Sequence, residues 1–168
     1  FNALLTLSRL DSGIATLEAW PVNINELLGE LQDLFAPLFE ENDMMLLVSG
    51  GDDMKLHGDA NLLGQALVNL LENVLAHGVK VGSSVELAAR HAGNTVVLSL
   101  ADGGKGIAPE RRGDALDRFV KLDASRSTGG HGLGLSLVAA ICAHHGGELY
   151  LGDNEPGLRV EMHLPAKA

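Results

Sequence analysis

Between residues 101 and 146 an apolar strand pattern ends on an acid, a long loop follows, and glycines then open an apolar helix. The stretch reads Ala-Asp-Gly-Gly-Lys-Gly-Ile-Ala-Pro-Glu from Ala101 and Gly-Gly-His-Gly-Leu-Gly-Leu from Gly129. The loop between them, of about two dozen residues, is longer than ordinary connections in compact domains, and such loops often serve as lids. Glycines at a helix start let the backbone approach an anion, and the unpaired N–H groups there point at it. The layout predicts a phosphate-bearing ligand held between Asp102 and a helix N-terminus, under a lid mobile between residues 111 and 130.

The 168 residues have the length of one domain with at most a short appendage. Hydrophobic content of 46% supports a sizeable core, and 4% aromatic makes that core mainly aliphatic. A formal net charge of −10 gives a surface that repels nucleic acid and anionic lipid, so neither is an expected partner. An anionic ligand therefore needs local cations, a metal or a helix end. The single cysteine, Cys142, excludes an internal disulfide and falls on an apolar helix, where a core thiol is expected. No apolar run approaches the roughly 18 residues of a membrane span, and no signal-peptide pattern is present. Phe1 is not an initiator methionine and lies inside a helical pattern, so the chain reads as a fragment of something longer.

Residues 1–11 carry Leu4, Leu5, Leu7 and Leu10 on a roughly helical period, stopping near Ser12-Gly13. Residues 14–20 suit a short strand closed by Pro21. A helix over 23–41 begins with Asn23 as cap and Glu26 three residues on, and Pro37 is expected to kink or shorten its last turns. Short strands are expected over 45–49 and 54–57, then a second helix over 61–77 with Leu63, Leu67, Leu70 and Val74 facing the core. Residues 85–90 and 95–101 form a hairpin. A third helix over 133–145 ends at Gly146, with His144 and His145 read as helix-end surface residues. Strands over 149–151 and 158–164 close the chain; the last alternates Leu158, Val160, Met162 and Leu164 inward with Arg159, Glu161 and His163 outward. Hairpins favour antiparallel pairing, so the predicted architecture is a two-layer α/β sandwich. Its sheet is mixed and mostly antiparallel, covered on one face by three helices.

Asn69, Asn73 and His77 recur every four residues and share one face of the second helix. Asparagine in a helix interior costs several tenths of a kcal/mol against alanine, so two of them one turn apart need a reason. Either they hydrogen-bond neighbouring backbone at the edge of the core, or an amide oxygen ligates a hard cation such as Mg²⁺. Asp102 with Gly104 and Gly106 is either a plain turn after a strand or an acceptor for an exocyclic amine such as that of adenine. The glycines at 129–134 are either a flexible loop or the phosphate-facing helix start.

Taken in order and at this spacing, these residues resemble the ATP-binding catalytic domain of sensor histidine kinases, in the superfamily shared with gyrase, Hsp90 and MutL. Asn69-Leu-Leu-Glu-Asn73-Val resembles the asparagine box, and Asp102-Gly-Gly-Lys-Gly-Ile107 the first glycine box. Asp117-Arg118-Phe119 resembles the phenylalanine box and Gly130-His-Gly-Leu-Gly-Leu135 the second glycine box. Residues 5–13 look like the segment leaving the second helix of a dimerisation module, which divides the chain into that tail (1–13) and a catalytic domain (14–168).

The resemblance implies a Bergerat-type fold, and ATP and Mg²⁺ as cofactors. Asn73 would be the metal ligand, with Asn69 supporting metal and phosphates. Asp102 would bind the adenine amine while Gly104 and Gly106 let the backbone pass the base. Phe119 would anchor the lid, and Gly130, Gly132 and Gly134 would present N–H groups to the phosphates. His77, Ile107, His131 and Leu133 fall in the same nucleotide-binding boxes. Lys121 and Arg126 are lid cations that could meet the terminal phosphate. The implied partners are a histidine-bearing dimerisation domain of the same parent and a response-regulator receiver; parents in this family are often anchored in the inner membrane, which implies a cytoplasmic place for this domain. Two departures stand out: Ala76 replaces a frequent basic residue, and none of the seven histidines lies in a His-Glu/Asp-x-x-x-Pro setting. Three rival readings share the fold: an anti-sigma-type serine kinase, an ATPase like Hsp90 or MutL, and a degenerate docking scaffold. The ATPase reading suffers from Asn69 standing where that group has a glutamate base, with Glu72 on the wrong turn.

Overall fold

A computed structural model describes residues 2–16, 18–77, 80–117 and 134–167. Helix α1 (Asn2–Asp11) leads to strand β1 (Trp20–Asn23), helix α2 (Ile24–Glu41), strands β2 (Met45–Ser49) and β3 (Lys55–Gly58), and helix α3 (Ala60–His77). Strands β4 (Ser84–Ala92) and β5 (Thr95–Ala101) follow, then a 3-10 turn (Pro109–Arg111) and the short helix α4 (Arg112–Ala115). Helix α5 (Gly134–His144) and strands β6 (Glu148–Asp153) and β7 (Leu158–Pro165) complete the described chain.

The main sheet has the order β2-β4-β5-β7-β6, with β2 parallel to β4 and every other pair antiparallel. Its inward rows, such as Leu46, Val85, Leu87, Val96, Leu98, Leu100, Val160, Met162 and Leu164, join one core with the buried stripes of α2, α3 and α5. Val97 and Ser99, on the opposite face of β5, are buried yet stand outside that core. The expected two-layer sandwich is thus present, with helices on one face. Helix α1 adds to it: Leu7 is fully buried in the common core, and Thr6 hydrogen-bonds Gln65 of α3.

Local chemistry sets the helix ends. Asn23 Oδ1 accepts the N–H groups of Asn25 and Glu26 at 3.1 and 3.4 Å, and its Nδ2 donates to Glu26 Oε1 at 3.0 Å. Side chain and backbone thereby satisfy donors that the first turn leaves unpaired. Asp59 Oδ1 caps α3 in the same way through Asn61 and Leu62. Pro37 neither ends nor shortens α2, which continues to Glu41; the proline occupies the exposed face.

Two expectations need correction. The early strand is not 14–20 but Trp20–Asn23, and Pro21 lies inside it. Among the described residues it pairs with β3 alone, in a separate two-stranded sheet, where a residue lacking an N–H is tolerated. The two short strands expected around Gly50-Gly51 are present as β2 and β3, and they join different sheets, β2 beside β4 and β3 beside β1. His145 is not a surface residue: it is 8% exposed and lies against Gly58, where a Cβ would stand 2.8 Å from its ring.

Candidate nucleotide-binding site

The two asparagines of α3 behave differently. Asn69 Nδ2 donates to the Gln65 carbonyl at 2.7 Å, one turn back on its own helix. That is the bland alternative for half of its amide, and Oδ1 is the part left for a ligand. Asn73, half-buried, has no hydrogen-bond partner among the described residues. Its amide faces the first residue of α5: a Cβ on Gly134 would lie 2.6 Å from Asn73 Nδ2 and 3.0 Å from Oδ1. Glycine at 134 therefore lets the opening turn of α5 sit directly on the Asn73 side chain. Helix starts carry unpaired N–H groups and the positive end of the dipole. A hard carbonyl-type oxygen beside such a terminus suits a divalent cation bridging to phosphates, because Mg²⁺ takes few protein oxygens and completes its shell with phosphate and water. The residues present fit that group.

Asp102 follows the last residue of β5 and is half-buried. Its Oδ1 accepts the N–H groups of Gly104 (2.8 Å) and Leu158 (3.1 Å). The carboxylate is thus fixed by backbone donors through one oxygen, and Oδ2 has no partner among the described residues. A carboxylate held this way can accept from an exocyclic amine. The turn after β6 approaches so closely that a Cβ on Gly157 would be 1.8 Å from the Asp102 carbonyl oxygen. Gly106, at φ +69°, passes 2.7 Å from the Gly157 carbonyl by the same measure.

Gly104 is half-buried and Ile107 lends its carbonyl to Arg112 Nε at 3.1 Å. His77 is exposed at the last residue of α3. Phe119, Lys121, Arg126, Gly130, His131, Gly132 and Leu133, together with most of the expected lid, lie outside the described residues. Sequence reasoning missed Asn154 and Arg112. Asn154 Nδ2 donates to the Asp102 carbonyl at 2.7 Å, and Arg112 bridges Ile107 to Asp153. Neither belongs to a recognisable box; the signal available was the turn-forming run Asp153-Asn-Glu-Pro-Gly157.

Away from the site, His145 ties α5 to the start of α3. Its Nε2 accepts the Asp59 N–H at 3.0 Å and its Nδ1 donates to the Ile141 carbonyl at 2.8 Å, which defines a neutral tautomer. Burial lowers its pKa below 6.5, helped by His144 and opposed by the Ile141 carbonyl and Asp59. Burial likewise pushes the Cys142 thiol up to about 12, which makes it an inert core residue.

A mostly antiparallel sheet under a helix layer, with an asparagine helix and a glycine-opened helix meeting at one edge, defines an ATP-binding domain of the kinase and ATPase superfamily. The chain belongs to the histidine kinase-, DNA gyrase B- and HSP90-like ATPase family, whose model matches residues 58–168. It is 34% identical over 166 residues to the alginate biosynthesis sensor protein KinB of Pseudomonas aeruginosa, covering 98% of this chain and 27% of that protein. It is 31% identical over 166 residues to the sensor-like histidine kinase SenX3 of Mycobacterium bovis, covering 97% of this chain and 40% of that protein. Full-length ShkA, solved in complex with AMPPNP, superposes with a TM-score of 0.86 at 29% identity, covering 99% of this chain and 35% of ShkA. The chain thus spans well under half the length of these relatives.

Proposed function

We propose that this chain is the catalytic portion of a two-component sensor histidine kinase. It transfers the γ-phosphoryl group of ATP to a histidine on a dimerisation module of the same parent protein. The observation that carries the reading is the Asn73 amide, without a hydrogen-bond partner among the described residues, facing Gly134 at the start of α5. Bound Mg²⁺ would supply charge neutralisation between the phosphates. Asn73 would provide a protein oxygen to it, with Asn69 Oδ1 one turn away. In this reading the N-terminus of α5 at Gly134 meets the phosphate oxygens, Gly130 and Gly132 would add N–H groups there, and Asp102 Oδ2 accepts from the adenine amine. His77, Gly104, Gly106 and Ile107 are assigned to the nucleotide in this reading; His131 and Leu133 would join them, and Phe119 would anchor the lid. Lys121 and Arg126 neutralise charge on the transferring group. Phosphoryl transfer of this kind depends mainly on positioning and electrostatics.

In the transfer, the lone pair on Nε2 of a neutral acceptor imidazole attacks the γ-phosphorus, the bond to the bridging oxygen breaks, and ADP departs. No general base is required, since a neutral imidazole already offers its lone pair. The phosphohistidine then passes its phosphoryl group to a receiver aspartate. Residues 1–13 are the end of the dimerisation helix in this reading, and the parent's other segments hold the acceptor and any membrane anchor. The hydrolytic alternative is weaker, because Glu72 is exposed and Asn69 occupies the turn a water-activating acid would need.

The test is to supply ATP labelled at the γ-phosphate to the chain alone and to the chain mixed with a separate histidine-bearing dimerisation module. Label entering only the module, and there in an acid-labile form, supports the reading. Acid-stable label on a serine of either component would replace it with the serine-kinase reading.

A further inference from the structure

The turn between β6 and β7 holds both ends of the loop over residues 102–107. At the first end, the Asp102 N–H donates to the Leu158 carbonyl at 3.0 Å, and the Leu158 N–H returns a bond to Asp102 Oδ1 at 3.1 Å. Asn154 Nδ2 donates to the Asp102 carbonyl at 2.7 Å, while Asn154 Oδ1 accepts from Arg159 Nη2 at 3.1 Å. At the other end, Arg112 Nε donates to the Ile107 carbonyl at 3.1 Å and Nη2 meets Asp153 Oδ1 at 2.8 Å. Asn154 is therefore a two-ended strut. One end grips the peptide that carries the acid, and the other is braced on β7.

That peptide sets where Oδ2, which has no partner among the described residues, points. Two N–H groups already hold Oδ1, so Oδ2 is aimed by the orientation of the backbone at residue 102. A fixed carboxylate distinguishes an amino-purine, which donates to it, from an oxo-purine, which presents a second acceptor. One free to swing would turn away from the oxo group and lose the distinction. A buried polar group discriminates only when it cannot relax.

We propose that Asn154 is a positioning residue for base recognition, holding Asp102 so that the site prefers amino-purine over oxo-purine nucleotides. The inference rests on the reading of Asp102 as the acid that meets the base. Its test compares ADP with IDP, which share sugar and phosphates and differ in the exchanged amino and oxo group and in the proton that the oxo base carries on the neighbouring ring nitrogen. Dissociation constants are measured by calorimetry on the 168-residue chain, on Asn154→Ala, on Asn154→Asp and on Asp102→Asn. The parent is expected to favour ADP by about tenfold or more, the size of one hydrogen bond to a charged group.

Asn154→Asp keeps the acceptor for Arg159 but loses the donor to Asp102. Both substitutions at 154 should shrink the ADP-to-IDP ratio by about threefold or more, through weaker ADP binding. Charge effects on the phosphates cancel in that ratio. If Asn154→Ala unfolds, Asn154→Asp decides alone. A folded Asn154→Asp protein with the parent's ratio overturns the inference, since the strut to Arg159 would then be its whole role. A parent without preference, or a ratio untouched by Asp102→Asn, overturns instead the reading of Asp102 beneath it.

Discussion

Gly157 has φ +121°, and a Cβ there would overlap the Asp102 carbonyl oxygen at 1.8 Å. Gly157→Ala combines a conformation costly for a side chain with a collision against backbone, and should destabilise the fold by about 3 kcal/mol or more. Urea unfolding measures it; a loss within experimental error would mean the turn does not seat on Asp102. Gly134→Ala behaves differently, because the atom in its way is the end of the Asn73 side chain, which can move. It should fold nearly as well as the parent yet bind Mg²⁺-ATP analogues at least about tenfold more weakly, the loss of one metal-phosphate contact of about 1.4 kcal/mol. Parental affinity in that variant would detach Asn73 from the site. At this scale the sequence was informative about type and poor about orientation. The four-residue spacing marked both Asn69 and Asn73, but which amide turns back onto Gln65 and which stays open depends on rotamers and on Gly134.

Among the elements, α3 and α5 matter most, and His145 joins them. Burial lowers the His145 pKa below 6.5 in the folded protein, so the unfolded chain takes up its proton first as pH falls. This contribution to stability is complete above 6.5 and declines below it, toward the lowered folded value. Denaturant midpoints taken above and below 6.5 should fall on acidification, and His145→Gln should remove that part of the fall. Equal pH dependence in parent and variant would show that the imidazole is not held neutral. His145 was misread as a surface residue because helix-end position speaks for exposure, while the space beside Gly58 belongs to a segment 87 residues earlier (145 less 58). Long amphipathic helices and the alternating β7 were legible from local pattern, as was the capping by Asn23. The short strands were not: β1 is defined by its pairing with β3, and the parallel pairing of β2 with β4 spans an intervening strand and helix.

For the whole molecule, the order of boxes revealed more than any box alone, since each is a common turn or helix start by itself. What remained hidden was the support behind them, the β6–β7 turn and Arg112, because those contacts join segments distant in sequence. The central claim is an Mg²⁺-dependent ATP site built on Asn73 and Asp102. Calorimetric titration with a non-hydrolysable ATP analogue, with and without Mg²⁺, tests it on the parent, Asn73→Ala and Asp102→Ala. The account predicts metal-dependent binding in the parent, lost in Asn73→Ala and Asp102→Ala alike. A well-folded parent that binds nothing, or binding indifferent to the metal and to both substitutions, would contradict it and leave the docking scaffold as the better reading.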